Sequence, residues 1–155
     1  MIHIVTGKIN SGKTGKLAAI CQFERRGDGF ISVKEIADGV PVRYLAMRLS
    51  TMEERPLLAR EGHFPEGFDP VQAIGPYRMS GTVLGWVETE IGKMLEDGVE
   101  PIYLDEIGPL ELEGGGFAPI LSRCLSRGTE LYLSVRRDLV EAVLTRFGIR
   151  DYDLM

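Results

Sequence analysis

The chain has few of the residues that announce a metal centre, a disulfide framework or a membrane span. Its 155 residues include only two cysteines and two histidines. Cys21 and Cys124 stand in helical patterns and form no Cys-x-x-Cys pair, so they read as buried, reduced thiols. His63 sits in a stretch with no second ligand type in view, and a lone loop histidine does not make a metal site. No apolar run approaches the ~20 residues that a membrane helix needs. The net charge of −5 leaves no basic excess, which argues against broad nucleic-acid binding. Residue 1 almost opens the first apolar run, so no signal peptide is read ahead of it, and the expected location is cytoplasmic. Internal repeats, low-complexity runs and linkers are also missing. What remains is a chain 44% hydrophobic and 26% charged, the balance of an ordinary globular protein. Its length suits one domain over residues 1–155, large enough to bury about 70% of its unfolded surface without a staple.

The most informative stretch is Gly7-Lys8-Ile9-Asn10-Ser11-Gly12-Lys13-Thr14. It fits Gly-x-x-x-x-Gly-Lys-[Ser/Thr], a phosphate-binding loop. Gly7 and Gly12 allow backbone angles that turn successive N–H groups toward phosphate oxygens. Lys13 brings a compact positive charge to the β- and γ-phosphates, and the Thr14 hydroxyl can ligate Mg²⁺. Ile2-His3-Ile4-Val5 supplies the strand before the loop, and a helical pattern starts at Lys13 with Leu17, Ile20 and Cys21 on one face. That helix aims its positive end at the same phosphates.

Residues 29–36 read as a strand, Asp38-Gly39 as a hairpin turn and Val42 to Leu49 as the returning strand. Residues 50–76 have a weak pattern broken by Gly62, Pro65, Gly67 and Pro70, and read as a mobile loop or lid. Arg48, Arg55 and Arg60 lie in or near it, either as solvated charges or as groups that reach a nucleotide when the loop closes. A helix follows from Gly81 to Asp97, with Val83, Leu84, Val87, Ile91, Met94 and Leu95 as its apolar stripe and Trp86 beside that stripe. Further helices are read over 117–126 and after Asp138, which is placed as the cap of the last one; 149–154 reads as a final edge strand.

The second informative stretch is Pro101-Ile102-Tyr103-Leu104 followed by Asp105-Glu106-Ile107-Gly108. An apolar strand that delivers an aspartate at its end is the Walker B arrangement, which holds Mg²⁺. Glu106 can then orient or deprotonate an attacking water. Gly108 is placed to offer its N–H to the γ-phosphate. The strand Leu131 to Val135 ends at Arg136 and Arg137, on the sheet edge where ligands gather, and one of them is read as a sensor of phosphoryl charge.

With both motifs placed, the chain resembles the small nucleoside-triphosphatase family first described from thermophiles, also called cancer-related nucleoside-triphosphatase. Asp105-Glu106-Ile107-Gly108-Pro109-Leu110-Glu111-Leu112 is similar to the family's Asp-Glu-Ile-Gly-x-Met-Glu-Leu signature; Phe117, Gly29-Phe30 with Glu35, and Tyr77 also fit. The chain departs from the pattern at Gly15-Lys16-Leu17, where the family continues Thr-Leu, and at Leu110, and Arg150-Asp151-Tyr152-Asp153 only partly echoes the family's ending. The resemblance implies an α/β, RecA-like phosphate-loop fold in three layers, its sheet mostly parallel with an inserted antiparallel hairpin. It implies slow Mg²⁺-dependent hydrolysis of ATP, GTP and related triphosphates. By position, Gly7 to Thr14 hold phosphates, Thr14 and Asp105 the metal, and Glu106 the water, while Glu111 has a place in the signature but no assigned role.

The expected function is therefore triphosphate binding and β–γ cleavage, with Lys13 and Glu106 as the catalytic groups. A small-molecule kinase uses the same loop and is the first alternative, with 50–76 as its lid. A nucleotide-dependent switch or adaptor is the second; the sequence names no protein partner for it.

Overall fold

The apolar runs become strands whose adjacent residues serve two different cores. The structure is a computed structural model that describes residues 1–9 and 11–155. In chain order the elements are β1 (Ile2–Gly7), α1 (Lys13–Glu24), β2 (Asp28–Ala37), β3 (Val40–Arg48), β4 (Glu54–Arg60), β5 (Pro70–Ile74), β6 (Tyr77–Ser80), α2 (Gly81–Glu96), β7 (Ile102–Ile107), α3 (Pro109–Leu112), α4 (Ala118–Ser126), β8 (Leu131–Arg136), a 3₁₀ turn (Arg137–Leu139), α5 (Val140–Phe147) and β9 (Tyr152–Leu154). Among the described residues these strands form one nine-stranded sheet in the order β5-β6-β4-β3-β2-β7-β8-β1-β9.

Period-two alternation splits the sheet's side chains. Ile4, Phe30, Leu104, Leu131 and Leu133 pack with α2, α4 and α5 in the larger core. Their chain neighbours Val5, Ile31, Tyr103 and Tyr132 pack with Leu17 of α1 in a smaller one. Two helical layers thus enclose the sheet, as the three-layer α/β expectation requires. The predicted stripe of α2 is buried along its length, from Val83 to Leu95. Trp86 lies beside it, edge-on to Phe30 at 5.1 Å. Gly29 pairs with Tyr103, and a Cβ there would stand 2.1 Å from the Tyr103 carbonyl oxygen, so only glycine lets β2 come this close to β7. Both cysteines are free, Cys124 buried and Cys21 half-buried.

Three expectations are corrected. First, 50–76 is not one long loop, because β4 and β5 lie within it. Their prolines sit where a sheet tolerates proline: Pro56 faces Leu45 at an irregular register, and Pro70, read as a break, belongs to β5 at the edge of the sheet. Second, the antiparallel part is larger than a hairpin. β3, β4, β6 and β5 extend the sheet beyond β2, while β2, β7, β8, β1 and β9 pair in parallel. Third, Asp138 does not cap α5. Its carboxylate accepts from the Arg136 guanidinium at 2.8 and 3.2 Å, and α5 starts without a side-chain cap.

The arginines near the expected lid also have structural occupations. Arg48 donates to Asp28 at 2.9 Å and to Glu90 at 2.8 Å. Arg55 lies 4.2 Å above the Trp86 ring, and Arg60 lies over Tyr77.

The start of α2 is tied down by Ser80, whose hydroxyl accepts from the Val83 N–H at 3.1 Å and donates to Asp69 at 2.6 Å. Ser80→Ala is expected to lower unfolding free energy by about 1 kcal/mol in urea denaturation, the usual cost of a lost N-cap. An unchanged midpoint would remove Ser80 from the account of α2.

Candidate active site

The phosphate loop joins the end of β1 to the start of α1. Gly12 adopts φ 86°, the left-handed conformation that glycine allows, and serves as the helix N-cap with no side chain bonded to the helix start. The first turn of α1 holds no acidic residue. A helix end of this kind carries partial positive charge and unsatisfied N–H groups, a setting for an anion. Lys13 is 8% exposed and folds back to donate its Nζ to the Lys8 carbonyl at 2.9 Å. Gly7, Lys8, Ser11, Gly12, Lys13 and Lys16 line a cavity of about 340 Å³ together with Arg137, and among the described residues no carboxylate lines it. Asn10, also read as part of the loop, lies outside the described residues. Ile9 is exposed and faces a second, larger cavity instead.

The loop meets the Asp105 strand directly. The Thr14 hydroxyl donates to Asp105 Oδ2 at 2.6 Å. The Ser32 N–H donates to the same oxygen at 2.9 Å, and the Ser134 hydroxyl donates to Oδ1. Asp105 is 2% exposed, so this carboxylate is buried under three donors drawn from α1, β2 and β8. A hydroxyl and a carboxylate in contact are the hard oxygen ligands that suit Mg²⁺. Among the described residues no group of three or more His, Cys, Asp or Glu side chains could cage a metal. The donor set therefore fits an ion shared with phosphate oxygens rather than one held by protein alone.

Glu106 follows with φ 62°, an unusual backbone conformation for a residue with a Cβ. Its N–H donates to Ser134 Oγ at 2.7 Å, so one hydroxyl fixes both members of the acidic pair. Glu106 is exposed and lines the larger cavity. Desolvation by the protein around its carboxyl raises its pKa above the ordinary glutamate value, with a smaller push from the Asp105 charge; Lys13, Lys34 and Arg136 oppose both.

Gly108 does not serve as expected. Its N–H donates to Glu111 Oε1 at 2.8 Å, and Glu111 Oε2 accepts from the Phe117 N–H at 2.9 Å. Glu111 is 4% exposed. It is a bracket that closes the chain after the acidic pair, which gives that signature position a structural role. Burial raises the Glu111 carboxyl pKa, and the two backbone donors hold it down. The two arginines part company: Arg137 lines the basic cavity, while Arg136 is held by Asp138 and lines the larger cavity with Lys13, Asp105 and Glu106. Ser134 was not legible as a site residue. Its one signal is a hydroxyl inside an apolar strand, and it is fully buried.

Loop, acidic strand end and sheet order together define a phosphate-loop α/β protein in which β8 lies between the loop strand and the Asp105 strand. Residues 2–154 match the model of the NTPase family, and the chain belongs to that family. Its class of activity is accordingly hydrolysis of nucleoside triphosphates. The fold is similar to THEP1 from the hyperthermophile Aquifex aeolicus, with TM-score 0.71 and 17% identity over 100% of this chain and 88% of that one. It is also similar to a human cancer-related nucleoside triphosphatase, with TM-score 0.65 and 20% identity over 98% of this chain and 86% of that one. No curated protein matches the sequence significantly. Among the described residues no helix is long and apolar enough to cross a membrane.

Ser134→Ala removes a donor to a buried carboxylate and an acceptor for the Glu106 N–H. It is expected to cost about 1–3 kcal/mol in denaturant unfolding. Wild-type stability would show that the acidic pair does not depend on this hydroxyl.

Proposed function

We propose that the chain binds a nucleoside triphosphate with its phosphates in the basic cavity and Mg²⁺ beside it at Thr14 and Asp105, and cleaves the β–γ bond slowly, with loose preference for the base. One observation carries this reading: the Thr14 hydroxyl rests on Asp105 at 2.6 Å, so loop and acidic pair share one site. Gly7, Lys8, Ile9, Asn10, Ser11 and Gly12 are assigned to the phosphates, Asn10 and Ile9 from the motif alone. Lys13 moves from the Lys8 carbonyl to the β/γ-oxygens. Thr14 and Asp105 hold the cation, which when bound neutralises charge on those oxygens.

Glu106 accepts a proton from water as the water oxygen bonds to the γ-phosphorus. The bond to the β–γ bridging oxygen breaks, and nucleoside diphosphate and phosphate leave. Arg137, beside the loop, balances charge on the phosphates; Arg136 is the weaker candidate because Asp138 already engages it. Two free cysteines support a reducing compartment such as the cytoplasm. The net charge of −5 supports a nucleotide rather than a nucleic acid as the ligand.

Glu106→Gln is expected to keep nucleotide affinity and lower turnover by at least about tenfold. A general base works deprotonated, and the Glu106 pKa is raised, so kcat/KM should fall with acidification at a higher pH than an ordinary glutamate would give. The variant should lose that acidic limb. Equal turnover and an unchanged pH profile would remove Glu106 from the mechanism.

A further inference from the structure

Beside the basic cavity lies a second, larger one that also takes in the acidic pair. The larger cavity has a volume of about 460 Å³. One water occupies about 30 Å³ in the liquid, whereas sites for small organic ligands run from about 300 to 1,000 Å³. Its floor is apolar: Phe30, Ala46, Leu57, Met79 and Phe117 line it, and each is less than 9% exposed. Lys13, Asp105 and Glu106 also line it, as do Ser32, Lys34, Tyr44, Glu111 and Arg136. Lys13 lines both cavities, so the basic cradle and the apolar space adjoin at this residue. Among the described residues the cradle has no carboxylate in its wall, while Asp105 and Glu106 line the larger cavity. Much of the wall comes from β3 and β4, the strands that extend the sheet beyond a plain hairpin.

We propose that this cavity is a second substrate site, which takes a small primary alcohol with a compact apolar body and presents its hydroxyl to Glu106. The proposal rests on the reading of the cradle as the triphosphate site. The alcohol O–H gives its proton to the Glu106 carboxylate as its oxygen bonds to the γ-phosphorus. The bond to the bridging oxygen breaks, and the products are a phosphate monoester and nucleoside diphosphate. An apolar body fits because the floor residues have no polar side-chain atom besides the Met79 sulfur. The five floor residues themselves offer no partner to the donor and acceptor edge of a nucleobase, so the test below sets ATP against the alcohol for this space. The triphosphate also points its γ end, not its base, toward Glu106 in this arrangement.

The test supplies ATP and Mg²⁺ with benzyl alcohol, 2-phenylethanol or geraniol, and measures by ³¹P NMR how the γ-phosphate divides between ester and inorganic phosphate. At least one probe should yield ester. In Ala46→Phe, which places a ring in the cavity, the ester-to-phosphate ratio should fall by about tenfold or more. The ratio is taken per turnover, so it reports only on folded molecules. A second measurement needs no turnover: 2-phenylethanol alone should shift the Met79 methyl resonance of the wild-type protein. Inorganic phosphate without ester from any probe overturns the proposal and leaves the hydrolysis reading standing; neither product overturns both. An unchanged ratio in Ala46→Phe, a Met79 methyl blind to 2-phenylethanol, or ATP itself competing with the alcohol for that methyl each overturns it.

Discussion

A single hydrogen bond ties this molecule's chemistry to its fold. Thr14 and Asp105 are 91 residues apart in the chain and 2.6 Å apart at their oxygens. The contact exists only because β1, β8 and β7 run parallel and side by side, so that the loop after the first and the acidic end of the last open at the same edge. Ligands in open parallel sheets gather at that edge for the same reason. The pairing of β2 with β7 adds the Ser32 N–H to the same carboxylate, and β8 adds the Ser134 hydroxyl. Asp105 is thus a junction of α1, β2 and β8, and any slip in strand register would disperse the site.

The residues around this junction divide into those that meet phosphate chemistry and those that hold the others in place. Ser134 fixes Asp105 and the Glu106 backbone together. Glu111 closes the following turn through Gly108 and Phe117. These contacts explain how Glu106 is kept at a positive φ, a conformation that side chains avoid unless the surroundings impose it. Arg136 and Arg137, equivalent by sequence, face different cavities because the chain turns into a 3₁₀ turn between them.

Much of this was legible in the sequence, and the exceptions have physical causes. The phosphate loop, the acidic strand end and the hairpin at Asp38-Gly39 announce themselves because each needs particular residues at fixed spacing. The stripe of α2 does so because period 3.6 is unambiguous over four turns. β4 and β5 were hidden because the pattern there is weak and Gly62, Pro65, Gly67 and Pro70 read as breaks, although Pro70 itself belongs to β5 at the edge of the sheet. The role of Glu111 was hidden because a carboxylate in a signature looks catalytic until its oxygens are seen on backbone N–H groups. Ser134 was hidden because tertiary pairing alone brings β8 between the two motifs. The larger cavity was illegible for the same reason, since its wall is assembled from β2, β3, β4, β7 and α3.

The central claim is that loop and acidic pair act on one shared cation. Thermal unfolding of the wild type and of Asp105→Asn, with ATP in EDTA and with ATP plus Mg²⁺, tests it most directly. Wild type should gain stability from ATP and a further increment from Mg²⁺. Asp105→Asn should keep the first gain and lose the second. An equal Mg²⁺ increment in both proteins would contradict the account.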